Sequence, residues 1–230
     1  ADTISLGGAL AAFYAQRGAY PKPSDFIKDV EAVLRGRHQA CEGAQAFGDA
    51  AVAVRNLELP AYDPRGCWGM GLAYATSTRG GCHLRGYMVA PEILRKPRPL
   101  KRFTFTGKAE YLVVLQDRSA VCDSLGVCKF AFLGATEEEF AAALSGAYGL
   151  QISAEELMDV GKRIYSLERK LNERFGTGAQ YDTLPEKFFS EALEDHSPLP
   201  KQRFREALSF WRRIRGEQDG GDDKVRQKNR

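Results

Sequence analysis

No run in this chain is long and apolar enough to span a bilayer. No basic-then-apolar leader opens it either, so neither a membrane protein nor an export signal is expected. Histidine is scarce: His38, His83 and His196 are the whole set, and none carries a triad or metal spacing with another. The five cysteines, Cys41, Cys67, Cys82, Cys122 and Cys128, form no C-x-x-C pair and no zinc-ribbon pattern. Their odd number and irregular spacing exclude a secreted disulfide scaffold. A reducing, cytoplasmic compartment is expected instead, with most thiols buried as small apolar groups. Charge of one sign is also lacking. A net charge of +3 is too small to argue for nucleic acid. Much of the excess sits around Arg212, Arg213, Arg215, Lys224, Arg226, Lys228 and Arg230, which reads as a solvated, frayed C-terminus.

What is there is the balance of a globular protein, with enough length for one sizeable domain or two small ones. Asp2 or Ser5 can cap a helix that carries Ala9 to Ala15 and stops at Gly18. Pro21 and Pro23 make a loop, after which Ser24 or Asp25 can cap a helix reaching Arg35. Residues 36–50 show little periodicity. The alternation over 51–57 predicts a short strand, and the two-proline stretch from Glu58 to Gly66 marks a domain boundary. Trp68 to Ser77 reads as a helix of small residues suited to close packing. Gly107 to Gln116 predicts a helix burying Leu112, Val113 and Leu115. Thr136 to Glu139 is a capped acidic helix start, and Gly149 ends that helix. Ser153 to Glu156 is a capping box, followed by Leu157, Val160, Ile164, Leu167, Leu171 and Phe175 at spacings of three and four, with Gly176 as the stop. A last helix runs from Lys201 to Arg215. The class is mainly α, with little material for a sheet.

Two segments carry candidate chemistry. Asp123-Ser124-Leu125-Gly126-Val127-Cys128 joins a carboxylate to a thiol across a tight glycine turn. A thiolate there can ligate an iron–sulfur cluster, and Asp123 can accept from a donor-rich ring. Taken locally, an Asx turn before the glycine explains Asp123 as well. In the second segment, Arg79 and Arg85 flank His83 in a glycine-rich loop. Such a loop can bring backbone N–H groups to an anion, and imidazole can pass a proton near neutral pH. On this segment alone, a structural histidine in a helix-capping loop is the simpler account. Cys82 and His83 are adjacent, so their side chains diverge and do not share a metal.

Together, several stretches resemble the C-terminal part of the tungsten-containing aldehyde:ferredoxin oxidoreductase family. They are Asp2 to Ser5, Leu57 to Gly66, Ala75 to Arg85, Asp123 to Phe130 and Asp182 to Pro185, in the family's order and at about its separations. The resemblance covers most of residues 1–215, while residues 30–50 and the tail match poorly. It implies the helical C-terminal domains of that family, without the β-rich N-terminal domain. Residues 1–56 would be a remnant of the middle helical domain and 57–216 the cofactor-contacting domain, with a basic, disordered tail over 217–230.

The resemblance further implies a tungsten ion held by two pterin dithiolenes (a tungstopterin), beside a [4Fe-4S] cluster. The reaction would oxidise an aldehyde to a carboxylic acid and pass electrons to ferredoxin. Asp123, Gly126, Val127 and Cys128 look like the second of two pterin-gripping D-x-x-G-L-[CD] motifs, with Cys128 also the fourth cluster ligand. Asp2 looks like the end of the first motif. His83 resembles a histidine near the metal thought to assist proton transfer, and Arg85 falls where the family has a basic pterin contact. The family's C-x-x-C-x-x-x-C run and its glutamate near the metal are absent. The chain is therefore expected to be a fragment, a split subunit or a decayed gene product, partnered by the missing N-terminal part, with a homo-oligomer left open. The rival readings are a non-catalytic helical or partner-binding module, and the tungsten subunit of an aromatic acyl-CoA reductase.

Overall fold

The computed structural model describes residues 2–217; the basic tail expected over 217–230 lies, apart from Glu217, outside them. Helices dominate the described residues, as the sequence predicts, and none is long and apolar enough to cross a membrane. The first, α1 (Thr3–Arg17), begins where the Asp2 carboxylate accepts from the Ile4 N–H at 3.0 Å. It buries Leu10, Phe13 and Tyr14 with Ala40, Ala44 and Phe47 of two following 3₁₀ turns. The next helix, α2 (Pro23–Leu34), corrects the expected cap. Lys22 holds the cap position without a side-chain bond, and Ser24 and Asp25 lie inside the first turn. Pro23 opens the helix instead, because its fixed φ suits that position and its missing N–H costs nothing there.

The predicted single strand is a hairpin, β1 (Ala53–Val54) paired antiparallel with β2 (Leu57–Glu58). Its turn places Arg55 and Asn56 at φ 48° and 59°, a left-handed pair that arginine adopts reluctantly. Tertiary bonds offset the strain. The Arg55 guanidinium donates to the carbonyls of Thr177, Ala75 and Ser77, each at 3.0 Å, and pairs with Asp182.

Helix α3 (Trp68–Thr76) is buried along almost its whole length. Against it pack α4 (Lys108–Leu125) and, beyond the short α5 (Ala131–Gly134), α6 (Glu137–Tyr148), α7 (Ala154–Arg174) and α8 (Lys187–Ser190), the terminal α9 (Lys201–Arg215). Tyr74, Leu112, Tyr165 and Trp211 form the centre of the main core. Of the three residues expected to be buried on α4, only Leu112 is fully so; the polar Gln116, Asp117 and Ser119 are buried with it. Gln116 is satisfied there, donating to Thr76 Oγ1 at 2.8 Å and accepting from Trp211 Nε1 at 2.9 Å. A buried amide is tolerated when its bonds are met.

Both capping boxes form as predicted, at Thr136 and Ser153. The apolar stripe of α7 does not lie where its spacing suggests. Leu157 is buried, but Leu167, Leu171 and Phe175 are exposed, Phe175 by 78%. The buried face is Leu157, Gly161, Tyr165 and Arg169. Gly161 explains the rotation: a Cβ there would lie 2.2 Å from the Asp117 carbonyl oxygen, so the glycine is what lets α4 and α7 meet at backbone distance.

The C-terminal arginines also depart from expectation. Arg212 and Arg215 are not part of a frayed end. Arg212 Nη2 is 3.0 Å from Asp182 and Arg215 Nη1 is 2.5 Å from Asp117, with both side chains largely covered. Asp182 gathers Arg55, Arg169 and Arg212 in the interior.

Candidate functional site

The loop after α3 does not turn its amides toward a ligand. The Gly81 N–H donates to the Val54 carbonyl at 3.0 Å. A Cβ on Gly81 would stand 2.4 Å from the Leu57 carbonyl oxygen, so this glycine serves close packing against the hairpin. That corrects the anion-loop expectation: hairpin pairing spends the backbone donor. Helix α7 holds the same loop from another side. Tyr165 Oη donates to the Thr76 carbonyl at 2.6 Å and Asn172 Nδ2 to that of Thr78 at 2.8 Å.

A 3₁₀ turn over His83–Arg85 then presents the two candidate side chains. Arg85 Nη1 lies 3.0 Å from Asp123 Oδ2, and its Nη2 donates to Glu168 Oε1 at 2.5 Å. Arg79 Nη2 reaches the same Asp123 oxygen at 3.1 Å, and Lys129 Nζ reaches Asp123 Oδ1 at 2.6 Å. Three cations thus meet the Asp123 and Glu168 carboxylates. The sequence offers Arg79, Arg85 and Asp123 as parts of separate segments. Glu168 carries no local signal on its helix, and Lys129 only its place beside the thiol.

Asp123 itself sits in the last turn of α4, and Gly126 caps that helix at φ 68°. The tight glycine turn is therefore a helix end. Cys122 Sγ donates to the Val127 carbonyl at 3.2 Å and is buried, while Cys128 is exposed. Cys67 and Cys82 are buried and Cys41 exposed, so most of the thiols are inside, as expected. Asp2 stays apart: its hydrogen bonds go to Ile4 and Ser5 of its own helix.

Beside this charged cluster lies a cleft of about 90 Å³, walled in part by His83, Tyr62, Tyr87, Leu115 and Leu133. The His83 ring stands 5.6 Å from that of Tyr62 and 6.0 Å from that of Tyr87. The two tyrosine hydroxyls are 3.4 Å apart. Burial lowers the His83 pKa, which favours the neutral imidazole. Burial, then the contact with Tyr62, pushes Tyr87 up to about 12, so its phenol stays protonated at neutral pH. The wall therefore offers a neutral base between two aromatic rings. Neither tyrosine stood out in the sequence, although Tyr62 lies within one matching stretch.

The residues fit the implied groups unequally. Arg85 has a side chain only 6% exposed, and while its Nη1 faces Asp123, its Nε has no hydrogen-bond partner. A buried donor left open suits an acceptor-rich, anionic group such as a pterin cofactor. The iron–sulfur cluster is not fitted by this chain alone. Among the described residues no three His, Cys, Asp or Glu side chains are grouped to hold a metal ion. Cys128 is a single thiol where a cluster takes four ligands.

Comparison with known proteins places the chain in a family. A family model described as aldehyde ferredoxin oxidoreductase, domains 2 & 3, matches residues 32–223. It takes in most of the 30–50 stretch that the motifs left poorly matched. The chain is 37% identical over 247 residues to the tungsten-containing aldehyde ferredoxin oxidoreductase of Thermococcus kodakarensis, an alignment covering 96% of this chain and 41% of that protein. It is 36% identical over 250 residues to the protein of that name from Pyrococcus horikoshii, with 96% and 41% covered. For the Pyrococcus furiosus protein of that name, identity is 37% over 183 residues, with 77% and 30% covered. The chain thus spans at most 41% of the length of these relatives.

Proposed function

The chain belongs to the aldehyde ferredoxin oxidoreductase family, and we propose that it serves in oxidising an aldehyde with water to a carboxylic acid, releasing two electrons and two protons, with ferredoxin as the acceptor. The observation that carries this reading is Arg85, buried with its Nε left open, standing beside a cleft walled by a half-buried neutral imidazole. The tungsten–pterin group, when bound, supplies the two-electron redox chemistry. This chain's residues hold and orient. Arg85 donates to the pterin, and Asp123, fixed by Arg79 and Lys129, accepts from it. Gly126 and Val127 shape the helix end that brings Asp123 there. His83 accepts a proton released as water adds to the aldehyde carbon, and the Tyr62 and Tyr87 rings limit water around it.

Cys128 is proposed as one cluster ligand, the others coming from outside residues 2–217. Asp2 is proposed to face the second pterin from the α1 cap. The relatives' names favour the aldehyde reaction over ring reduction and over a non-catalytic module.

The test is anaerobic preparation of the protein carrying this chain, grown with tungstate. Tungsten content and aldehyde-dependent reduction of a viologen dye are then measured. Tungsten with turnover supports the reading; tungsten-loaded protein that reduces no dye with any aldehyde overturns it.

A further inference from the structure

We propose that the loop over residues 93–103 docks the protein on an anionic lipid surface. Arg95, Lys96, Arg98, Lys101 and Arg102 put five cations into this stretch, and no Asp or Glu lies between Glu92 and Glu110. The net charge of +3 hides that run, because the carboxylates lie elsewhere in the chain. Arg95, Lys96, Arg98 and Lys101 are exposed, and among the described residues none of the four has a carboxylate partner. Three large apolar side chains stand in the same loop: Ile93, Leu94 and Phe103 are 43%, 54% and 48% exposed.

The loop is pinned at its base. The Leu100 N–H donates to the Pro91 carbonyl at 2.9 Å and closes it. The Trp68 N–H donates to the Arg102 carbonyl at 3.2 Å, and Arg102 Nε to that of Gly66 at 2.9 Å. Beneath it the buried Glu92 is anchored by the Gly69 and Met70 N–H groups and by Lys108. Pro97 and Pro99 stiffen the segment between. The backbone is therefore ordered before any partner arrives, and little of its entropy is left to lose on docking. Exposed apolar and cationic side chains side by side suit the boundary of a bilayer. The apolar groups enter the acyl edge while Lys and Arg reach lipid phosphates. Four cations on long stems, held by no neighbouring carboxylate, match a fluid layer of headgroups better than a fixed set of carboxylates. Ferredoxin is a poor occupant here. Lys108 opens α4 beside the loop, its Nζ donating to the Arg102 carbonyl at 3.4 Å, and Cys128 follows the far end of that helix. Its 18 residues separate the two by about 27 Å at ~1.5 Å per residue.

Flotation of the protein carrying this chain with lipid vesicles tests the docking. Phosphatidylcholine vesicles with and without phosphatidylglycerol are compared, and binding should need phosphatidylglycerol. It should weaken as salt rises from about 0.1 M to about 1 M, which cuts the Debye length from about 10 Å to about 3 Å. Each Lys or Arg near such a surface contributes about fivefold in partition, so Lys96→Gln combined with Arg98→Gln should lower binding about 25-fold. Leu94→Ser should lower it about fivefold, because roughly half of a leucine side chain leaves water on insertion. All three positions are exposed, so each variant should keep the parent's melting temperature, which separates lost docking from lost folding. Absence of binding to either vesicle, or equal binding to both, overturns the proposal. So does anionic binding that the paired glutamine substitutions leave unmoved. Binding that depends on the cations and not on Leu94 marks a site for an acidic protein or another polyanion, and it too overturns the lipid surface.

Discussion

Arg85 and Asp123 meet at 3.0 Å, Nη1 to Oδ2, joining the turn after α3 to the last turn of α4. Glu168 of α7 holds the other terminal nitrogen of the same guanidinium. Three elements therefore fix one arginine, and its Nε stays open in the interior.

That geometry makes Arg85 a cofactor-holding residue rather than a proton carrier, since a guanidinium stays charged at neutral pH. Arg85→Ala should lower the tungsten and pterin retained after gel filtration, and turnover per bound tungsten should change far less. Full retention of both would remove Arg85 from the cofactor site.

His83 should show the opposite pattern. General acid–base groups contribute about 10²–10⁴-fold in rate, so His83→Asn should keep tungsten and lose kcat by a factor in that range. The pH dependence follows from its burial. With the pKa held below the ordinary 6.5, the neutral ring persists to more acidic pH than in free histidine. The acid limb of kcat should accordingly fall below pH 6.5 and vanish in the Asn variant. Normal turnover per bound tungsten in His83→Asn would make the ring structural.

Exposure and position single out Cys128 among the thiols. Cys128→Ala should deplete iron and weaken the cluster's electron paramagnetic resonance signal, while Cys41→Ala and Cys67→Ala leave both unchanged. Residues 1–230 prepared alone should hold less than a full cluster, because one thiolate cannot assemble it. An unaltered signal in Cys128→Ala sinks the assignment.

Close approach of α4 and α7 depends on Gly161. Gly161→Ala forces a methyl onto the Asp117 carbonyl, and overpacking of this kind costs about 1–3 kcal/mol. At about 2–4 °C per kcal/mol for a chain of this size, the melting temperature should drop by about 2–12 °C. A melting temperature unchanged from the parent would show that the helices can slide apart freely.

Asp182 is the anion among Arg55, Arg169 and Arg212. Burial alone would raise its pKa, but Arg169 and then the other two arginines outweigh it and hold the group below the ordinary 3.8. A carboxylate depressed in the folded state stabilises above its unfolded value, and that contribution is lost as pH falls through the folded pKa. Asp182→Asn should cost about 3–5 kcal/mol at pH 7, as for breaking a buried pair. Its urea midpoint should also vary less between pH 5 and pH 2 than that of the parent protein. Equal midpoints for parent and variant at pH 7 would show the arginines to be satisfied without it.

Some of this molecule is legible residue by residue. The starts of α1, α6 and α7 follow from Asp2, Thr136 and Ser153, because a cap bonds to amides two or three positions away. Gly18 and Gly149 end helices for equally local reasons, whereas α4 runs past the expected end at Gln116 to Leu125, and its cap Gly126 reads in sequence only as a turn. The motifs around His83 and Asp123 are readable too, since each is a contiguous string. The α7 stripe shows where such reading stops. Spacing identifies the helix, but the depth of each side chain depends on what packs against it, and Gly161 turns Tyr165 and Arg169 inward while Leu167 and Phe175 stay outside.

The sequence by itself determined a mainly helical chain, most of its helix ends, and the strings that mark its family, because these depend on neighbours a few residues apart. Tertiary structure alone decided that Arg85 meets Asp123 and Glu168, that Arg212 and Arg215 lie inside, and that Tyr62 and Tyr87 enclose His83. Each of those relations joins segments far apart along the chain. Only the packing of α3, α4, α7 and α9 brings them within the few ångströms over which hydrogen bonds and ion pairs act.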